Sequence, residues 1–307
     1  MTLVDPSSAA IEGIASEAAA DDLGAARPLR VDAWRRFKKN RMALTGVAFI
    51  IFLVLVAIFA DLIAPFGYNE TNVPERLEGP SLDHLFGTDR RGRDMFSRVI
   101  YGSRVSLRIG FLTTLVVMFI GTTWGAVAGF FGRKIDAVLM RIVDILLAIP
   151  YLVLAAAIAV IMEPGENTVI VAIGFTAWLP ISRIVRSSFL SLKKLEYVEA
   201  AEALGYSKGR IMLRHILPNA LQPIIIYGTI SIGSVILSEA ALSFLALGPR
   251  PPTPAWGLMV NEALDSYSLS SEPWMALFPS LAIFVTVVAF VLVGDGLRDA
   301  LDPRQKG

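Results

Sequence analysis

Six stretches of this 307-residue chain are long and apolar enough to cross a lipid bilayer, and they constrain its fold more than any local motif does. A hydrocarbon core about 30 Å thick needs roughly 20 mostly apolar helical residues, because backbone amides in lipid must bond within their own segment. Met42 to Ala64, Val105 to Gly129, Ala137 to Met162, Thr168 to Leu190, Leu221 to Leu247 and Trp274 to Gly294 meet that length, each bounded by Pro, Gly or charge. The expected fold is all-α, a polytopic membrane protein with six transmembrane helices and both termini on one side. Composition agrees: 54% of residues are apolar and only 18% charged, too apolar for an ordinary soluble domain.

Charge sets the orientation. Arg27, Arg30, Arg35, Arg36, Lys38, Lys39 and Arg41 crowd the first span, which places the N-terminus in the cytosol by the positive-inside rule. Alternation then puts Arg133 and Lys134, the loop from Lys193 to Arg214, and the tail with Arg298, Arg304 and Lys306 inside as well. One loop opposes the rule. Arg90, Arg91, Arg93, Arg98 and Arg104 precede the second span on the nominal outside, beside Asp83, Asp89 and Asp94. The amphipathic stretch Met95 to Arg108 is expected to lie along the interface, where arginines snorkel.

Several function classes fall away. A net charge of +1 gives no field for nucleic acid, and no nucleic-acid partner is expected. The absence of cysteine removes thiolate chemistry and Cys-based metal sites, and His84 and His215 are too separated to form a cluster. Residues 1–26 carry Asp5, Glu12, Glu17, Asp21 and Asp22 with no Lys or Arg before Arg27, unlike a cleavable signal peptide, and read as a disordered cytosolic tail.

Within the spans, Gly121, Gly125 and Gly129 recur every fourth residue and allow a neighbouring helix to approach closely. Pro150, Pro180 and Pro279 are expected to kink or end their helices. Charges at membrane depth are few. Arg141 and Asp144 lie three apart on one face and can pair; they and Glu239, in the fifth span, are the candidate pathway or gating residues. Glu239 is expected near the outer end of its span, within reach of water.

Between the fourth and fifth spans lies an ordered polar hairpin. Glu196, Glu199 and Glu202 share one helical face, opposite Tyr197, Ala200, Ala201 and Leu204. Gly205 supplies a left-handed stop, Ser207 can cap a second short helix carrying Lys208, Arg210 and Arg214, and Pro218 is expected to halt it. The triplet Glu199-Ala200-Ala201 is not informative alone, since Glu17-Ala18-Ala19 and Glu239-Ala240-Ala241 repeat it. Only the copy at Glu199 sits in a cytosolic loop ahead of Gly205 and Arg214-His215-Ile216-Leu217-Pro218-Asn219. On physics alone, this hairpin suits a membrane surface as well as a protein partner.

Glu199, Ala200, Ala201, Gly205, Leu217 and Pro218 resemble the EAA loop of permease subunits of ATP-binding-cassette importers. His84-Leu85-Phe86-Gly87-Thr88-Asp89, Gly92-Arg93-Asp94, Ser97-Arg98, Tyr101-Gly102, Arg104-Val105-Ser106-Leu107, Glu239 with Leu242-Ser243-Phe244-Leu245, Trp256-Gly257, Gly294-Asp295-Gly296-Leu297-Arg298-Asp299 and Leu301-Asp302-Pro303 are similar to blocks of the C-type permeases of dipeptide and oligopeptide importers. Those blocks run from about Trp34 to Pro303. Ala246 departs from the pattern, standing where these permeases commonly carry Gly, and Arg214-His215 matches the peptide subgroup.

The resemblance implies a type I ABC importer permease fold and a non-enzymatic transport subunit. Its domains would be a cytosolic tail (1–33), an N-terminal transmembrane region (34–66), an extracytoplasmic loop (67–103), a core (104–295) with its coupling loop at 191–218, and a cytosolic tail (296–307). Glu199, Ala200, Ala201, Gly205, Arg214, His215, Leu217 and Pro218 would contact an ATPase. The implied partners are a second homologous permease, two ABC ATPases, an extracytoplasmic solute-binding protein and membrane lipid. No G-x-x-x-x-G-K-[ST] occurs, so ATP and magnesium would be bound by the ATPases and not by this chain. Di- or oligopeptides are the expected cargo, with nickel chelates, glutathione and oligosaccharides as alternatives in the same family. An ion-coupled carrier or intramembrane protease working alone is the reading from another class; for a protease, Glu239 lacks a partnering acid or His in its span.

Overall fold

The computed structural model describes residues 29–264 and 271–302, and every described element is helical or loop. The tail read at residues 1–26, and Arg304 and Lys306, lie outside the described residues. In chain order the helices are α1 (Leu29–Lys39), α2 (Arg41–Ile58), α3 (Ala60–Ile63), α4 (Met95–Phe131), α5 (Arg133–Leu147), α6 (Tyr151–Ile161), α7 (Glu166–Ala177), α8 (Leu179–Leu192), α9 (Glu196–Ala203), α10 (Lys208–Phe244), α11 (Trp256–Leu264) and α12 (Trp274–Leu301). Helices α2, α4, α10 and α12 each have the length and hydropathy of a span. The pairs α5–α6 and α7–α8 each make one broken span, which completes six.

Proline chemistry explains the breaks. Pro150 caps α6 and disfavours helix at Ile149, so the third span turns by 85°. Pro180 sits in the first turn of α8, and the fourth span bends by 41° at Trp178. Pro279, in contrast, is carried inside α12, which runs on to Leu301. Between the spans, the glycine stripe of α4 meets α8. A Cβ on Gly121 would lie 2.2 Å from Ile181 Cγ2, and one on Gly125 only 2.3 Å from the Ser182 carbonyl. No larger residue fits without parting the helices.

Helix α4 has 37 residues, far beyond the roughly 20 that a bilayer requires. Its first turns join a folded cap made by residues 65–94 and α11. This corrects the expectation that Met95 to Arg108 lies along the interface: Asp94 caps the helix by accepting from the Ser97 amide at 2.7 Å, and the segment is packed on several sides. Arg98 is 1% exposed and does not snorkel. Its Nη2 donates to Glu262 Oε2 at 2.7 Å, which also accepts from Arg93 Nη2 at 3.2 Å, while Arg93 Nε donates to Asp89 Oδ2 at 2.6 Å. Arg104 pairs with Asp61 at 3.1 Å. Three of the five arginines that oppose the positive-inside rule are thus neutralised locally.

His84, also in the cap, is held between two carboxylates, with Nδ1 2.9 Å from Asp94 Oδ1 and Nε2 3.2 Å from Glu75 Oε2. Burial disfavours the imidazolium, but these hydrogen bonds outweigh it and raise the pKa above the ordinary histidine value. Trp256 and Trp274 fasten the cap to the bundle through indole N–H bonds to the carbonyls of Val99 and Thr88.

Candidate functional site

The hairpin is built on α9 and the first turns of α10. Helix α9 ends in a full Schellman motif: Gly205 has φ +77, its amide donates to the Glu202 carbonyl at 3.0 Å, and the Tyr206 amide reaches back to Ala201 at 3.1 Å. Ser207 then caps α10 by accepting from the Arg210 amide. The expectation that Pro218 halts this second helix is corrected. Residues Ile211–Ile216 adopt a π-helix, and α10 continues through Pro218 to Phe244. Proline lacks an N–H and its ring crowds the carbonyl four residues back; widening the turn to the i→i+5 register, seen in the Leu217 amide bonding Met212, gives that carbonyl room.

One face of the hairpin is buried and stitched. Val198 and Ala201 of α9 pack with Ile211 and Ile216 of α10 and with Phe189 and Val185 of α8 in one apolar cluster. Asn219 donates to the Tyr197 hydroxyl and the His215 carbonyl, and the His215 ring stacks on Tyr206. Lys193 Nζ donates to the Phe130 carbonyl at 2.8 Å, tying the hairpin's root to the end of α4. The other face is open. Glu199, Ala200, Glu202 and Arg214 are exposed, Leu204 is 72% exposed and Leu213 57%. A Cβ at Gly205 or Gly209 would meet nothing. Of the four residues placed opposite the acidic face, Tyr197, Ala200 and Leu204 are exposed and only Ala201 is buried within this chain. Val198 escaped the sequence reading although it lies three residues before Ala201 on the same face.

Glu239 lies elsewhere and is 0% exposed, which corrects the expectation of water access. Ser106 of α4 donates to Oε2 at 3.2 Å and Ser243 donates to Oε1 at 2.7 Å. Because α4 begins ahead of Val105, Ser106 sits in mid-helix and covers the carboxylate. Arg141 and Asp144 do not pair. Asp144 bonds Arg183 of α8, and neighbouring Asp136 bonds Arg186, so the ion pairs join α5 to α8 across the bundle. Arg141 is exposed and has no ion-pair partner among the described residues. At Ala246 the backbone has φ +59, the conformation a glycine adopts without strain, which gives a physical meaning to the Ala-for-Gly departure.

Residues 121–307 match the model of the binding-protein-dependent transport system inner membrane component, and residues 29–80 match the N-terminal TM domain of oligopeptide transport permease C. The chain belongs to the family of binding-protein-dependent inner-membrane transport components. This family member is 44% identical over 286 residues to the dipeptide transport system permease protein DppC of Alkalihalophilus pseudofirmus, spanning 93% of each chain. It is 45% identical over 280 residues to the glutathione transport system permease protein GsiD of Escherichia coli O157:H7, covering 89% of this chain and 90% of that one. Among solved structures, a chain of the inward-facing MetNI methionine ABC transporter superposes with TM-score 0.55 at 20% identity, over 67% of this chain and 97% of that one. The fold is that of type I ABC importer permeases, and the protein is a multi-pass inner-membrane component.

Proposed function

We propose that this chain is the permease subunit of an ATP-driven importer of di- or oligopeptides, with its hairpin at 191–218 docked on an ABC ATPase. The observation that carries this is the hairpin's two-sidedness. Its buried face is locked to α4 and α8, while Glu199, Ala200, Leu204, Leu213 and Arg214 form an uncovered ridge of mixed charge and apolar side chains. A rigid surface with exposed large apolar groups is suited to a protein groove, and the acidic ridge offers charge-assisted contacts. Gly205 sets the turn and leaves space for close approach; Ala201 and Leu217 hold the ridge from behind, Pro218 lies exposed just past the π turn, and His215 stacks on Tyr206. In this reading both termini and the hairpin are cytosolic and the cap faces outward. ATP and magnesium are bound by two ATPase subunits, and a second, related permease completes the path. Glu239 acts here by clasping α4 to α10 and not as a cargo ligand.

Peptide cargo is supported by the dipeptide permease relatives, and the glutathione permeases at similar identity favour a second reading. Uptake in membranes decides both. Gly205→Pro or Glu199→Lys should abolish ATP-dependent uptake while the protein stays in the membrane, and undiminished uptake would count against coupling through this hairpin. Competition of labelled dipeptide uptake by unlabelled dipeptides or by glutathione separates the two cargoes.

A further inference from the structure

Two of the five arginines that oppose the positive-inside rule, Arg90 and Arg91, are left unexplained by the fold. Both side chains are exposed and neither has an ion-pair partner among the described residues. They stand at a cavity of about 220 Å³ lined also by Asp89, Arg93, Glu262 and Met275. The cavity holds more positive than negative groups: three arginines against two carboxylates, with Arg98 behind them. Its acceptors are already committed. Asp89 Oδ1 takes the amides of Arg91 and Arg93, Asp89 Oδ2 takes Arg93 Nε, and Glu262 Oε2 is shared by Arg93 and Arg98. Arg93, 2% exposed, is left with Nη1 buried and without any partner. A buried guanidinium N–H without an acceptor is costly, and a carboxylate oxygen is the group that matches it best.

We infer that this cavity is a socket for one side-chain carboxylate, Asp or Glu, carried by the binding protein on which the family's transport depends. The inference rests on the cap facing outward, as proposed above. Size selects the source: pockets that take whole small-molecule ligands measure about 300–1,000 Å³, so this one admits a carboxyl group and its stem but not a peptide. Arg90 and Arg91 at the mouth steer the approaching acid, and the Arg93 guanidinium that lines the cavity receives it.

The test uses the complete importer in lipid nanodiscs with its binding protein, reading the binding-protein concentration that half-maximally stimulates ATP hydrolysis. The paired substitution Arg90→Ser with Arg91→Ser should raise that concentration ~10-fold at low salt and flatten its salt dependence. Arg35→Ser, at an exposed arginine of α1, should leave it unchanged. Arg93→Gln, which keeps a donor but removes the charge, should give a shift of the same sign. An unshifted half-maximal concentration in the paired variant overturns the socket while leaving the importer reading intact. A wild-type complex that the binding protein fails to stimulate overturns both. Loading the binding protein with a C-terminally amidated peptide should preserve the shift; if amidation erases it, the carboxylate belongs to the cargo and the inference fails.

Discussion

The cap and the hairpin are made from the same residue types and use them in opposite ways. In the cap, Arg93, Arg98, Asp89 and Asp94 are buried and bonded to one another or to Glu262 and His84. In the hairpin, Glu199, Glu202, Arg210 and Arg214 face outward with no ion pair among the described residues. Glycine divides likewise: Gly92 and Gly205 share a left-handed backbone, at φ +70 and +77, yet a Cβ on Gly92 would strike the Asn72 carbonyl at 1.8 Å while one on Gly205 touches nothing. The cap buries its charges in mutual ion pairs, with Arg93 Nη1 and Arg98 Nε and Nη1 left without hydrogen-bond partners, whereas the hairpin is satisfied on one face only. A surface whose charges and apolar tips are left unmatched over a rigid base is shaped for a second molecule.

The sharpest challenge to this contrast exchanges a carboxylate in each region. Glu262→Leu leaves two buried guanidiniums without their shared acceptor and should destabilise by about 3–5 kcal/mol, whereas Glu199→Leu at an exposed site should stay within about 0.5 kcal/mol. Thermal unfolding of the detergent-solubilised protein reads both, and equal losses would dissolve the distinction. Next come the paired glycines. Gly205→Ala incurs only left-handed strain, about 1 kcal/mol, while Gly92→Ala adds the displacement of the Asn72 backbone, a further ~2 kcal/mol. Because φ is nearly the same at both sites, the difference between the two variants measures packing alone.

The smallest effect is the pH response of the cap. A raised His84 pKa means that its pairing with Asp94 and Glu75 stabilises the cap fully below the unfolded value of about 6.5, and that this contribution fades as pH rises through the folded pKa. Tryptic cleavage at Arg76, measured relative to cleavage at Lys194 in the hairpin, should therefore accelerate as pH rises above about 6.5. His84→Gln should flatten that ratio, and a ratio already flat in the unaltered protein would remove His84 from the account.

What was legible in the sequence follows from the range of the forces involved. The six spans were readable because lipid demands length and apolarity from each segment separately. The cap on α9 was readable too, since Gly205 and Ser207 act on their own neighbours. The breaks at Pro150 and Pro180 were readable, at 85° and 41°, but the other prolines were not: Pro218 is absorbed by a π turn, and Pro279 is carried inside its helix. The outcome depends on whether the displaced carbonyl finds another donor, which is a matter of local register and packing. Ion pairing was misassigned at Asp144 because a partner three residues away is apparent in the sequence, while Arg183, on another helix, becomes a neighbour only after folding. Arg98 was misplaced for the same reason, since its acceptor Glu262 lies 164 residues away.

The unbroken course of α10 from Lys208 to Phe244 has a mechanical corollary. Thirty-seven helical residues, with a π turn at Ile211–Ile216 and Pro223 carried inside, have a contour of roughly 55 Å, nearly twice the thickness of the hydrocarbon core. One end carries the hairpin's uncovered ridge, and Glu239 sits near the other, clasped to α4. If the helix pivots at its hairpin end, a tilt of ~10° swings the far end by ~10 Å, enough to part or close a side-chain-wide passage. Leverage of this kind needs no bound ligand at membrane depth, only a stiff arm and a fulcrum.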